Sequence, residues 1–133
     1  MGQRILSFRE LQIYRESCEL DLAVFLLTKR FPREELYALT DQVRRSSRAV
    51  GAAIAEAWAK RRYPAHFVSK LTDADAELQE THHWINRALA YGYLTIERHD
   101  EIEANLLRIG RRLGTALAHP EAFSREARSA DDG

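Results

Sequence analysis

Hydrophobic residues recur every three or four positions along most of the chain, which is the spacing of an α-helix that buries one face. Two long stretches in the second half each carry one such stripe. The stripes are Phe67, Leu71, Ala74, Leu78, Ile85 and Leu89, and then Ile102, Leu106, Ile109, Leu113 and Leu117. No stretch alternates apolar and polar residues for long enough to predict a strand. The pattern therefore predicts an all-α fold.

Capping residues and prolines predict where the first two helices begin and end. Ser7 and Glu10 form a capping box ahead of the first helix, in which each side chain bonds a backbone N–H. Pro32 ends that helix, because the residue before a proline avoids helical geometry. Pro32 also suits the first turn of the second helix, and Thr40 offers an alternative start after a break.

The boundaries of the third and fourth helices complete the prediction of a four-helix bundle. Gly92 suits the left-handed residue that follows the third helix, and Thr95 suits the cap of the fourth. The four helices are predicted over residues 8–30, 32–61, 64–91 and 95–118. Short connections make consecutive helices antiparallel neighbours. We therefore predict an antiparallel up-down-up-down four-helix bundle over residues 1–118, followed by a flexible tail over residues 119–133.

The first helix carries two apolar faces, although a bundle helix needs one for its core. One face holds Leu11, Tyr14, Cys18, Leu22 and Phe25, and the opposite face holds Ile13, Leu20, Val24, Leu27 and Phe31. A long second apolar stripe is rare on a soluble monomer. We assign the face that begins at Ile13 to a contact between subunits, which predicts a homo-oligomer. The alternative is a fourth helix that wraps unusually far around the first.

Small residues in the second helix allow a neighbouring backbone to approach closely. They are Gly51, Ala52, Ala55 and Ala59. That neighbour is either another helix of the same subunit or a second subunit, and the sequence favours neither.

Composition adds few constraints. The 133 residues suit one domain, and 20 basic residues balance 20 acidic ones, so the net charge favours no particular partner. Cys18 is the one cysteine, which excludes an intrachain disulfide and a cysteine-based zinc site. No apolar run approaches the ~20 residues of a membrane span, and no signal-peptide core is recognisable. We expect a cytoplasmic protein with no membrane partner.

The second predicted helix carries a string of residues typical of a known family. Residues 31–46 read FPREELYALTDQVRRS. This string resembles the FPxxExYxLTxQxRRA pattern of the four-helix bundle proteins first named for open reading frames in 23S rRNA intervening sequences. The agreement continues through Val50, Ile54, Ala55, Glu56, Phe67, Glu77, Leu78 and residues 91–94. Ala53 and Ala57 depart from it, because the family usually has Asn and Gly there.

The resemblance implies a fold, an assembly and a set of partners. Members of this family are antiparallel four-helix bundles without established catalytic activity, and several form ring-shaped homopentamers. One branch, the accessory variability proteins of diversity-generating retroelements, binds a reverse transcriptase and its template RNA. That branch is strongly basic, whereas this chain is neutral. The implied partners are further copies of the chain, RNA or DNA, and a protein such as a reverse transcriptase.

Basic residues along the second helix form the candidate nucleic-acid-binding surface. Between residues 42 and 62 the only acid is Glu56. The candidate residues are Arg44, Arg45, Arg48, Lys60, Arg61 and Arg62. Arginine binds phosphate through paired hydrogen bonds, and a ring would repeat the surface in every subunit. The alternative is that Arg44 and Arg45 pair with acids of a neighbouring helix or subunit, for which Asp73, Asp75, Glu77 and Glu80 are the partner set.

Catalytic and metal-binding patterns are weak. Glu80 and His83 form one Glu-x-x-His step, but a di-iron bundle needs a second step and two further glutamates. We therefore predict no metal or cofactor, with His82 as a packing residue. No nucleophile triad or glycine-rich phosphate loop is recognisable.

The predicted function is a non-enzymatic, homo-oligomeric scaffold that binds another macromolecule, and nucleic acid is the leading candidate for that partner. The alternative is a protein-only adaptor in which the charged clusters form ion pairs between subunits.

Overall fold

The computed structural model describes residues 5–123, which form four long helices joined by short connections. The helices are α1 (Gln12–Thr28), α2 (Leu39–Ala59), α3 (Pro64–Ala90) and α4 (Ile96–Ala118). Helix α1 packs against α2 and α4, and α3 packs against the same two helices. This arrangement confirms the predicted all-α four-helix bundle.

Side-chain contacts give the direction in which α3 and α4 run. His82 contacts Glu103, and Asn86, one turn later on α3, contacts His99, one turn earlier on α4. The two helices are therefore antiparallel, as their short connection predicts.

The capping box closes a short turn rather than starting the first long helix. The backbone N–H of Arg9 donates to Ser7 Oγ at 3.2 Å, and that of Leu6 donates to the Glu10 carboxylate at 2.7 Å. These bonds flank a 3₁₀ turn over Phe8–Glu10. Leu11 is extended, and α1 begins after it, several residues later than predicted.

The second long helix begins at the alternative start. After Pro32 the chain makes a 3₁₀ turn over Arg33–Glu35, and α2 begins only at Leu39. Thr40 does not act as the cap, because its hydroxyl is buried without a hydrogen-bond partner. The predicted break before Thr40 therefore exists, but a side-chain cap does not cause it.

The core lies where the inward faces of the four helices meet. Its fully buried large side chains include Leu20 and Val24 of α1 and Val43 of α2. From α3 and α4 come Phe67, Leu71, Leu78, Ile85, Ile109 and Leu113. Full burial of one such side chain contributes about 1.5–3 kcal/mol. The predicted stripes of the third and fourth helices thus form the core.

A glycine allows α1 and α2 to pack closely within the subunit. A Cβ atom on Gly51 would lie 3.2 Å from Ser17 Oγ and 3.8 Å from the Tyr14 ring. The residue at this position must therefore be small for intramolecular packing. Ala52 and Ala59, by contrast, are exposed.

The structure describes residues 119–123, the first part of the predicted tail. Residues 120–123 are helical, and the Phe123 ring packs 4.8 Å from the Phe67 ring, centroid to centroid. A second helical segment begins at Pro120, after α4 has ended, because proline fits the first turn of a new helix. Residues 124–133 of the predicted tail lie outside the described residues.

Within residues 5–123, no helix combines the length and the apolar character that crossing a membrane requires.

Candidate interaction surfaces

The apolar face assigned to a subunit contact lies inside the subunit. Leu20 and Val24 are completely buried, and Ile13 and Phe31 are nearly so. Leu27 is partly buried and packs against the same core. The assignment of these five residues to a subunit interface is therefore wrong. Both faces of α1 are apolar, so the helical period alone did not distinguish the core side from the outer side.

The opposite face of α1 is the one that reaches solvent. Leu22 and Leu26, one turn apart, are 56% and 54% exposed. Cys18 and Phe25 lie beside them and are partly buried. We call these four residues the outer α1 face. Of the other predicted set, only Leu22 is exposed, because Leu11 is buried and Tyr14, Cys18 and Phe25 are partly buried.

Arg45 is held by two acids of α3. Its guanidinium contacts Glu80 at 2.6 Å and Glu77 at 3.3 Å, and Glu80 also accepts a hydrogen bond from the Trp84 indole at 3.2 Å. The hydrogen bond from Arg45 holds the pKa of Glu80 below its usual value. For Arg45, the structure thus favours the alternative of pairing with the neighbouring helix.

Arg44 and Arg48 lie on the side of α2 that faces α1. Arg44 donates from Nε to Thr28 Oγ1 at 2.7 Å, and its guanidinium lies 5.0 Å from the centre of the Phe25 ring. Arg48 is exposed and lies near Asp21. Burial raises the pKa of Asp21, and the charge of Arg48 opposes that shift.

The other three basic candidates lie at the turn between α2 and α3. Lys60 and Arg62 are exposed, and Arg61 lies over the Trp58 ring at 4.0 Å. Tyr63, which follows them, is 65% exposed. We call residues 60–63 the basic turn. Since a helix rises about 1.5 Å per residue, Arg45 and Lys60 are separated by about 22 Å, so the six candidates do not form one surface.

An ion pair connects the first and last helices. Arg112 donates from Nε to both carboxylate oxygens of Glu16, at 2.9 and 3.0 Å. Glu16 is buried, with 8% of its surface exposed, so the pair satisfies a charge that would otherwise be costly to bury. The spacing of residues on α4 alone does not reveal this partner.

A polar cluster lies between α3 and α4. His99 is buried, and its Nε2 lies 2.7 Å from Asn86 Oδ1, while its Nδ1 lies 3.1 Å from Asp100 Oδ1. His82 Nε2 lies 3.1 Å from Glu103 Oε1. We call these five residues the α3–α4 polar cluster. The sequence alone does not predict this cluster, because its two halves lie on different helices. The one available signal was the four-residue spacing of His99 and Glu103, which places both on one helix face.

Comparison with known proteins agrees with the bundle and identifies the family. The profile of the family described as 23S rRNA-intervening sequence protein matches residues 9–115. A crystal structure of a protein of unknown function from the S23 ribosomal protein family of Bacteroides thetaiotaomicron is also similar. It shares 26% sequence identity, with a TM-score of 0.73 over 80% of this chain and 95% of that one. A search of curated proteins finds no significant match. The profile covers most of the chain, and the chain therefore belongs to the 23S rRNA-intervening sequence protein family.

Proposed function

We propose that this protein is a non-enzymatic scaffold that assembles into a ring of identical subunits and binds nucleic acid. The outer α1 face carries the proposal, because two adjacent leucines are more than half exposed on a helix whose other side is core. An apolar surface of this kind is typical of a protein contact. A second copy of the chain is the proposed occupant, in keeping with the homopentamers that the family resemblance implies.

The basic turn is the proposed nucleic-acid contact. Lys60 and Arg62 are exposed there, and Tyr63 presents an exposed ring beside them. Cations neutralise phosphates, and aromatic rings stack on unpaired bases, so this combination suits single-stranded RNA or DNA. Repetition of the turn around a ring would strengthen weak individual contacts.

A protein-only adaptor is the second candidate. The observation in its favour is the network of Arg45 with Glu77 and Glu80, which uses a predicted phosphate contact for packing. In this case the partner would be a protein, such as the reverse transcriptase that the family resemblance suggests.

Light scattering after size exclusion tests the assembly. We expect the unmodified chain to have a mass several times its 15.3 kDa subunit mass, at both low and high salt. The double variant Leu22→Glu/Leu26→Glu should have the subunit mass and retain its helical circular dichroism, because both side chains point away from the core. Leu107→Glu, which alters a leucine 51% exposed on α4, is the matched control and should not change the mass. A monomeric unmodified chain would contradict the proposal.

Fluorescence anisotropy with a labelled single-stranded RNA tests the nucleic-acid contact. Affinity should fall steeply between about 50 and 200 mM salt, because phosphate contacts release counterions. Lys60→Glu/Arg62→Glu should abolish binding, while Arg108→Glu/Arg111→Glu, with the same charge change on α4, should reduce it far less. Equal losses in both variants would indicate non-specific attraction and refute the basic turn as the site. An intact oligomer without RNA affinity would support the adaptor.

A further inference from the structure

A pocket between the start of α1 and the end of α4 combines an apolar base with cations at its edge. Its volume of about 670 Å³ lies within the usual range of small-molecule sites, about 300–1,000 Å³. We propose that this α1–α4 pocket binds a small organic anion, with the apolar part of the ligand on the base and the anionic head group on Arg108 and Arg111. The proposal is independent of the scaffold function.

The base of the pocket is apolar and is held in place by the core. Leu11 and Ile13, at the start of α1, and Ala116 of α4 line it, and all three are buried in the subunit. Phe123 also lines the pocket, and its ring packs 4.8 Å from the buried Phe67 ring, centroid to centroid. Because these side chains are fixed by their packing, the pocket is formed before a ligand arrives, which lowers the cost of binding.

The edge of the pocket is cationic because one face of α4 places three arginines there. Arg108, Arg111 and Arg112 all line the pocket, since residues three and four apart share a helix face. Arg112 is neutralised by Glu16, as described above. Arg108 donates only to the side-chain oxygen of Asn105, and the Arg111 side chain has no hydrogen-bond or ion-pair partner within the described part of the chain. Two positive charges are therefore left without an acid.

The helix dipole does not account for these two charges. Cations stabilise the C-terminus of a helix, but the effect falls off within the last turn. Helix α4 ends at Ala118, so Arg111 lies about two turns before its end and Arg108 almost three. Like charges three residues apart on a helix repel each other, and an anion that contacts both arginines would remove that repulsion. A guanidinium group also matches the paired oxygens of a carboxylate or a phosphate.

The apolar base favours a small organic anion over the backbone of a nucleic acid. A sugar–phosphate backbone is polar on both sides of each phosphate, so it would satisfy the arginines and leave the apolar base uncovered. An anion with an aliphatic or aromatic body satisfies both parts of the pocket, because its body buries apolar surface while its head group binds the arginines.

Nuclear magnetic resonance titration of the isotopically labelled full chain with sodium octanoate tests the proposal. We expect saturable shifts of the backbone amides that line the pocket on α1 and α4. Acetate has the head group alone and octanol has the chain alone, so each should bind at least about tenfold more weakly than octanoate. Octyl phosphate is the second charged probe, and the tighter of the two ligands identifies the head group that the arginines select.

A charge-removing variant tests the role of the two arginines. Arg108→Gln/Arg111→Gln should weaken octanoate binding at least about tenfold, because it removes hydrogen bonds to a charged group. Both residues are exposed, so the circular dichroism of the variant should match that of the unmodified chain. Lys60→Gln/Arg62→Gln is the matched control, since it removes two positive charges outside the pocket and should leave the affinity unchanged.

Four results would overturn the proposal. Absence of saturable shifts would exclude the pocket as a site, and shifts confined to the outer α1 face would place the apolar chain elsewhere. Equal affinities for octanoate and acetate, or for octanoate and octanol, would show that one part of the pocket makes no contribution. Equal losses in the two double variants would indicate general attraction between the anion and a cationic surface.

Discussion

The two faces of α1 are similar in composition and opposite in their surroundings. The inner face has Leu20 and Val24 completely buried, whereas the outer face has Leu22 and Leu26 more than half exposed. All four are aliphatic residues within two turns of one helix. Hydrophobicity therefore selects residues for burial but does not determine whether their own subunit or another molecule buries them. The inner face is covered by the subunit itself, whereas the outer face reaches solvent in the single subunit.

Truncation of one leucine on each face should give the largest contrast. Leu20→Ala should lower the free energy of unfolding by about 2–5 kcal/mol, because it leaves a cavity in a packed core. Leu22→Ala removes the same atoms from a surface position. Any decrease in the free energy of unfolding that it causes should depend on protein concentration, as expected for a side chain buried between subunits. Urea unfolding at two protein concentrations measures both. Equal, concentration-independent losses would contradict the comparison.

Removal of the cation at the edge of the inner face should have an intermediate effect. Arg112→Ala leaves the buried Glu16 carboxylate without its cationic partner and with a long hydrogen bond from the Gln12 amide at 3.4 Å, so the free energy of unfolding should fall by about 2–3 kcal/mol. The matched control is Arg111→Ala, one residue away and exposed, which should change stability by less than about 0.5 kcal/mol. Urea unfolding would refute the role of the pair if the two variants were equally stable.

The smallest effect is expected at a contact that does not involve α1. Arg45 lowers the pKa of Glu80 below its ordinary 4.5, so the contact stabilises the fold above that pH. The stabilisation is lost as the pH falls through the lowered pKa, because protonation removes the charge that Arg45 binds. Since Arg45 is 47% exposed, its contribution should be below about 1 kcal/mol. Arg45→Gln should make the free energy of unfolding depend less steeply on pH in the acid range. An unchanged pH dependence in that range would contradict this prediction.

Much of the fold could be predicted because its signals are local. The stripes of α3 and α4 include Leu71, Leu78, Ile109 and Leu113, and each of these is buried as the three-to-four spacing indicates. Thr95 caps α4 as predicted, since its hydroxyl accepts a hydrogen bond from the backbone of Arg98. The start of α1 was predicted too early, because the capping box at Ser7 stabilises one turn equally well whether or not a helix continues.

The candidate sites were less predictable, because they depend on contacts between helices. The basic residues of α2 were identified from the sequence as one group. In the structure Arg45 turns toward Glu80 of α3, and Lys60 lies near the other end of the bundle. The His99 cluster was missed for the same reason: its contacts with α3 connect residues 13 and 21 positions apart. The spacing of residues within one helix gives no information about the register or the rotation of the neighbouring helix.

Four amphipathic helices, their approximate ends, their antiparallel order and the family are predictable from the sequence alone. These features depend on the helical period, on prolines and on short connections, all of which act between residues close in the chain. The folded structure was needed to show which face of α1 is buried, which acids contact Arg45, and that His99 contacts Asn86. Each of these depends on how one helix is rotated and shifted against another. That arrangement is set by the packing of the whole core, to which every helix contributes at once.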